Sequence, residues 1–188
     1  MKRIFDFFLS IFFSIILFPL LLLISCCLII FYGRPIFFLQ VRAGFKGKPF
    51  KIIKFRTYKN DSNEISGTFA LILRKFKLDE LPQLINIIKG EISFVGPRPL
   101  YIKYIKLYNY SQKKRLDVKP GLTGLAQING GNKLKWTKKF EFDTYYVENQ
   151  NFFLDIKILS KTIILLIVNI FSNSNNLRYS EQDDFKGN

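Results

Sequence analysis

Positions 4–32 form an apolar run with a single charged side chain, Asp6, and a proline, Pro19, near the middle. As a helix this run is long enough to span a bilayer, which takes about 20 apolar residues. Pro19 lacks a backbone donor and crowds the preceding turn, so a helix over the run must kink there. Both flanks are basic. Lys2 and Arg3 precede it, and Arg34, Arg42, Lys46, Lys48, Lys51, Lys54, Arg56 and Lys59 follow with no acid before Asp61. Lys and Arg mark the cytoplasmic ends of membrane segments, so both ends are expected on the cytoplasmic side. A helix broken at Pro19 that enters and leaves on one face meets both constraints, whereas an ordinary kinked spanning helix meets only the first. The backbone groups freed at the kink need partners, and the Ser14 and Ser25 hydroxyls are the candidates.

Cys26 and Cys27 are adjacent within this run. Neighbours in one helix cannot form an ordinary disulfide, and there is no CxxC or histidine to build a zinc site. They read as small buried hydrophobes in a reducing compartment. The order Leu23-Ile24-Ser25-Cys26 also resembles a lipoprotein processing signal, but the residues after Cys26 stay apolar where polar ones are expected.

At 188 residues the chain has room for one cored domain. Twenty-nine Lys and Arg against 14 Asp and Glu favour polyanionic partners: nucleic acid, anionic lipid or phosphorylated substrates. There is no histidine, so catalysis must come from carboxylates, cations, hydroxyls or a bound metal.

Residues 37–57 read as a β-hairpin whose turn holds Gly44, Gly47 and Pro49. Residues 59–67 read as a polar loop, and 69–77 as a helix carrying Arg74 and Lys75 towards Asp79 and Glu80. Leu81, Leu84, Ile85 and Ile88 have the spacing of one buried helical face, with Gly90 as terminator. That spacing puts Asp79 and Glu80 at a helix N-terminus. Residues 100–116 read as another amphipathic helix, with Tyr101, Tyr104 and Tyr108 among lysines, suited either to a headgroup layer or to a solvated surface. Residues 119–124 read as a loop. Trp136, Phe140 and Asp143 follow helical spacing, and residues 158–171 are apolar but short for a span. Residues 172–188 read as a polar, frayed tail.

Asp79 and Glu80 admit two readings. Acids at a helix N-terminus complement its dipole and can simply cap it. The same field would keep Asp79 ionised, and a carboxylate can attack a phosphoryl centre, dividing one displacement into two. Glu80, with Asp79, could hold Mg²⁺, which binds through one or two carboxylates plus substrate phosphate oxygens. Arg98, between Pro97 and Pro99, could make charge-assisted bonds to a diphosphate or sit solvated on a turn. Lys54, Arg56 and Arg74 are further phosphate candidates, and Asp143 could serve a metal or sugar site or be a plain helix acid. Neither a Walker motif nor GxGxxG is present.

With these residues in view, the chain resembles the small monotopic phosphoglycosyl transferases, the bacterial initiating sugar transferases. The resemblance runs from residue 2 to about 160. It rests on Lys2-Arg3-Ile4-Phe5-Asp6, Ile53-Lys54-Phe55-Arg56-Thr57, Leu78-Asp79-Glu80-Leu81-Pro82-Gln83-Leu84, Asn86, Lys89-Gly90-Glu91, Ser93 to Pro99, Val118 to Gly124 and Phe142 to Val147, all in family order.

The resemblance implies an α+β, mostly helical monotopic membrane protein. Residues 1–33 would form a proline-broken re-entrant helix, 34–171 a small cytoplasmic catalytic domain containing the hairpin, and 172–188 the tail. It implies transfer of a sugar-1-phosphate from a UDP-sugar to undecaprenyl phosphate, with release of UMP. Asp79 would be the nucleophile and Glu80 part of a Mg²⁺ site, with Lys54, Arg56, Arg74, Arg98 and Asp143 at the substrate. The implied setting is the bacterial cytoplasmic membrane, with downstream glycosyltransferases as partners and no nucleic acid. The chain departs from the family pattern at Phe18, Phe76-Lys77, Gly131 and in the short stretch from Thr57 to Leu78, which bears on donor choice and on how active the copy is. The alternative from another class is a non-catalytic, membrane-tethered basic module binding nucleic acid or anionic lipid.

Overall fold

A computed structural model describes residues 1–58, 65–171 and 184–187. The fold is mostly helical with two small sheets. Two helices, α1 (Lys2–Ile16) and α2 (Phe18–Tyr32), fill the apolar run and meet at Leu17 with a bend of 61°. Pro19 sits in the first turn of α2, where its missing donor costs least. The freed groups do not take the predicted serine partners. Ser14 donates to Ser10 O at 2.7 Å and Ser25 to Leu21 O at 2.7 Å, each within its own helix and away from the break. Among the described residues no single helix is long and apolar enough to cross a membrane, but the bent pair passes that test together. Phe8, Phe12, Leu22, Leu23 and Ile30 stand exposed along it. Cys26 is exposed as well, rather than buried as its type suggests, and both cysteines are free.

The polar residues of α1 tie it to the rest of the chain. Arg3 donates to the carbonyls of Ile87 and Ile88, each at 2.6 Å, closing the C-terminal end of α4 (Leu84–Lys89). Gly90, the next residue, has φ +80°, and a Cβ there would meet the Arg3 guanidinium at 3.0 Å. Glycine suits both demands. Asp6 is buried and accepts from Phe94 N at 3.3 Å. Lys2 pairs with Asp155 and donates to the Tyr146 hydroxyl at 3.0 Å.

The hairpin forms as predicted: β1 (Phe37–Ala43) pairs antiparallel with β2 (Pro49–Phe55), Phe37 opposite Phe55 and Ala43 opposite Pro49. Side chains alternate along β2. Phe50 and Ile52 enter the core on one face, and Lys54 continues that same face inward. α3 (Thr68–Lys75) follows, and its Leu73 packs with Ile24, Leu28 and Phe55. Of the expected loop at 59–67, residues 59–64 lie outside those described; Tyr58 and Ile65 form an antiparallel bridge at its base.

Three predicted elements differ. The helix expected to begin at Asp79 is a 3₁₀ turn over Leu78–Gln83, and α4 starts only at Leu84. Pro82 cannot donate within that turn. The tighter winding shifts the buried face: Leu84 and Ile87 enter the core, whereas Ile85 is exposed. Asn86 is also fully buried, because its side chain donates to Lys51 O and Glu91 and accepts from Ile53 N, clamping α4 to β2.

The long helix expected at 100–116 is three short pieces: a 3₁₀ turn at Ile102–Leu107, α5 (Tyr110–Lys113) restarted by an Asn109–Gln112 capping box, and a 3₁₀ turn at Lys114–Asp117. Tyr104 and Tyr108 are buried rather than placed for a headgroup layer. The loop expected at 119–124 contains strand β4 (Gly121–Thr123), parallel to β3 (Ser93–Val95). Here two loops pack backbone on backbone: a Cβ on Gly121 or Gly124 would fall 2.1 Å from a Gly96 backbone atom. The chain continues through α6 (Leu125–Ile128), α7 (Trp136–Asn149) and α8 (Phe152–Phe171), the last with Phe153, Ile163, Ile164 and Ile167 exposed. Of the tail read as frayed, residues 172–183 and 188 lie outside those described; Phe185 is buried.

Candidate active site

The inward face of β2 carries Lys54 to the 3₁₀ turn, where its Nζ donates to Glu80 Oε1 at 2.6 Å. Arg98, on the stiff Gly96-Pro97-Arg98-Pro99 loop, brings Nη2 to 3.9 Å from the same oxygen. Lys77, immediately before the turn, holds a left-handed backbone at φ +58°, a conformation unusual for a residue with a side chain. Two carboxylates thus meet three cations.

The two acids respond in opposite directions. Burial alone would raise the Glu80 carboxyl, but Lys54, Arg98 and Lys77 outweigh it and hold the group well below the usual carboxylate range. For Asp79, burial and then the Glu80 charge push the carboxyl up, and Lys54, Lys77 and Arg74 only partly offset them. The helix N-terminus expected to favour the Asp79 charge is absent, and burial outweighs the neighbouring cations. Asp79 stands on a 3₁₀ turn, it is 8% exposed, and its Oδ1 is buried without a hydrogen-bond partner.

Glu80 and Arg98 face a cavity of about 560 Å³. Its walls are largely apolar and include Phe13 and Leu17 at the break between α1 and α2, Leu159, Leu165 and Leu166 of α8, and Trp136 and Phe140 of α7. Asp79 is not among the lining residues. A small polar recess also reaches Glu80 and is bordered by Arg42, Lys54, Gln83 and Arg98.

The other predicted residues separate. Arg74 acts on Asp79 through its charge and stacks its guanidinium 4.7 Å from the Tyr58 ring. Arg56 is buried and donates to the carbonyls of Tyr32 and Gly33 at the end of α2, so it closes that helix rather than facing the cavity. Asp143 lines the cavity but is engaged by Arg115, accepting from Nε at 3.1 Å and lying 2.9 Å from Nη2 in an ion pair.

Arg115 was not among the predicted site residues. Its place in a run of lysines reads as a solvated face, yet its side chain is buried. Burial works against its charge, but Asp143 and the Tyr108 hydroxyl keep it protonated above its ordinary value. Its Nη2 also donates to Arg98 O at 2.7 Å, fixing the loop that carries the Arg98 guanidinium. Lys139 was likewise missed. It lines the cavity, and burial, with Arg98 nearby, lowers its ammonium to about 8 against the pull of Asp143. Gln127 lines the same cavity with both amide atoms buried and unbonded.

Among the described residues no group of three or more carboxylate, histidine or cysteine side chains could cage a metal. The Asp79–Glu80 pair still suits Mg²⁺, which needs few protein ligands when a phosphate completes its shell. The partnerless Asp79 Oδ1 is the atom that fits it.

The chain matches the family model described as Bacterial sugar transferase over residues 1–169. It is 44% identical over 178 residues to the uncharacterized sugar transferase EpsL of Bacillus subtilis, covering 89% of this chain and 88% of that one. It is 37% identical to the exopolysaccharide production protein ExoY of Sinorhizobium fredii, covering 86% of this chain and 83% of the relative. It is 36% identical to the UDP-glucose:undecaprenyl-phosphate glucose-1-phosphate transferase of Klebsiella pneumoniae, covering 89% of this chain and 40% of that longer protein.

Proposed function

The chain belongs to the bacterial sugar transferase family, and from that premise we propose that it transfers a sugar-1-phosphate from a UDP-sugar to undecaprenyl phosphate at the cytoplasmic membrane, opening the synthesis of a surface glycan. The donor and acceptor classes follow those of the Klebsiella pneumoniae relative, a UDP-glucose:undecaprenyl-phosphate glucose-1-phosphate transferase. One observation carries the reading: a buried Asp79 whose Oδ1 has no hydrogen-bond partner, next to a cation-bound Glu80 that lines a cavity reaching the break of the apolar helix pair.

In the first step Asp79 attacks the phosphorus that bears the sugar. The bond from that phosphorus to the bridging oxygen breaks, and UMP leaves with the bonding pair. An acyl-phosphate to the sugar remains on Asp79. In the second step a phosphate oxygen of undecaprenyl phosphate attacks the same phosphorus and displaces the Asp79 carboxylate, giving the diphosphate-linked sugar. Burial strips water from the Asp79 carboxylate, which favours its attack, and Lys54, Lys77 and Arg98 counter the charge of the incoming diphosphate. Asp79 and Glu80 would hold Mg²⁺ with the donor phosphates; when bound, it neutralises charge on the transferring group.

The bend at Leu17 and the basic residues at both ends of the α1–α2 pair support a re-entrant hairpin that keeps the catalytic domain on the cytoplasmic side. Leu17 and Phe13 then bring membrane-embedded apolar surface to the cavity where an isoprenoid chain would lie. The diphosphate-linked product calls for glycosyltransferases that extend it. Membership in an enzyme family leaves the non-catalytic basic module without support.

Purified protein in detergent, given Mg²⁺ and a panel of UDP-sugars, is expected to release UMP from one donor when undecaprenyl phosphate is present. Without acceptor, intact-protein mass spectrometry should find one phosphosugar on Asp79. Turnover retained in Asp79→Asn would sink the covalent route.

A further inference from the structure

Residues 184–187 lie beyond the region matched to the family, which ends at 169, and none of the chemistry above uses them. Phe185 is nevertheless only 3% exposed. Its ring centre lies 5.0 Å from Phe140, 5.3 Å from Trp136, 5.9 Å from Tyr104 and 6.1 Å from Tyr108. These four rings come as two pairs, each four residues apart, and Phe185 fills the slot between them. Asp184 accepts from the Tyr104 hydroxyl at 2.5 Å and pairs with Lys103 at 2.6 Å. The Lys103 pair is well exposed on both sides, so the buried ring supplies the anchor and the acid sets its register.

The slot backs onto the candidate site. Trp136 and Phe140 line the cavity and Phe185 does not. Lys139 holds its ammonium 5.0 Å from the Trp136 ring, and the Arg115 guanidinium lies 5.5 Å from Phe140 and 5.7 Å from Tyr108. Arg115 in turn holds the Arg98 carbonyl. A single layer of rings therefore separates Phe185 from two cavity cations, and Arg115 links that layer to the loop of a third.

We propose that Asp184 and Phe185 form a C-terminal clip that sets the aromatic wall of the cavity, making Phe185 a positioning residue for binding the nucleotide diphosphate of the donor. The donor's identity rests on the transferase reading, while the docking of the clip does not. Removing the ring opens the slot, lets Trp136 and Phe140 turn into it, and loosens Lys139 and Arg115. Donor affinity should suffer while the Asp79 chemistry is spared.

Trp136 is the one tryptophan in the chain, so its emission reads the slot directly. In the full-length protein Phe185→Ala should shift that emission to the red and raise its quenching by acrylamide. The same variant should raise KM for the UDP-sugar, and Kd for UDP with Mg²⁺ by calorimetry, about tenfold, with kcat held within about twofold. Phe185→Leu, which refills the slot, should restore both affinities. Unchanged emission in Phe185→Ala would overturn the clip. Shifted emission with unchanged UDP affinity, or kcat and thermal midpoint falling together, would overturn its positioning role. A parent protein that neither binds UDP nor releases UMP would tell against the transferase reading, while the emission would still decide whether the clip is docked.

Discussion

Glu80 and Asp143 line one cavity, and each belongs to a cluster of acid and base, but the two clusters are completed in opposite ways. Asp143 and Arg115 face each other directly, and Arg115 spends its remaining donors on Tyr108 and the Arg98 carbonyl. That cluster is closed. Around Asp79 and Glu80 the cluster is open: Lys54 bonds Glu80, Arg98 stands off at 3.9 Å, and Asp79 Oδ1 bonds nothing. A buried pair whose hydrogen bonds are all internal shapes a wall, and breaking it exposes an unpaired charge. A buried acid left without its bonds is costly and needs a ligand or a reaction to account for it. The contrast fits the proposed division of scaffold to one cluster and chemistry to the other.

Asp79→Asn presses hardest on that assignment. Loss of the proposed nucleophile should lower UMP release by on the order of 10⁴-fold, while thermal unfolding at neutral pH shows equal or greater stability, because a desolvated charge has gone. Destabilisation with partial turnover would reverse the roles. Arg115→Met is the counterpart for the closed cluster. Leaving Asp143 buried and alone should cost about 3–5 kcal/mol in denaturant unfolding, and the double variant with Asp143→Leu should recover most of it. A cost near zero would mean that the pair is no scaffold.

Glu80→Gln should have a smaller effect. It keeps shape and removes charge, so turnover is expected to fall about 10²- to 10³-fold, with more Mg²⁺ needed for half-maximal rate. Unchanged Mg²⁺ dependence would remove Glu80 from the metal.

How much of this was legible in the sequence depended on range. The proline break, the hairpin and the acidic pair declare themselves locally, through a missing donor, a glycine-rich turn and adjacent charges. Lys54 was readable too, since Phe50, Ile52 and Lys54 share one strand face. The β3–β4 pairing was not, because three-residue strands carry no periodicity and form only when loops from distant positions close on each other. Arg115 looked like one cation among several because its partner Asp143 lies 28 positions away. Phe185 was hidden for the same reason, as its slot is assembled from rings far upstream. Pattern identifies faces, but the satisfaction of a buried charge is a tertiary fact.

The finest test of the comparison is pH. The folded Asp79 carboxyl lies above its ordinary value, so folding binds that proton more tightly, and ionised Asp79 subtracts stability at neutral pH. The gain in Asp79→Asn should therefore shrink as pH falls through the raised value and vanish below the unfolded one. Glu80 runs the other way. Its folded carboxyl is depressed, so the stability from its cations is complete above the unfolded value and is lost only as pH falls through the folded one, deep in acid. In activity, the acid limb of kcat/KM should follow Asp79 and lie above the ordinary aspartate range. Lys54→Met removes a cation that lowers both acids, so it should move that limb higher still. A limb that stayed put would place the titrating group elsewhere and remove Asp79 from the first step.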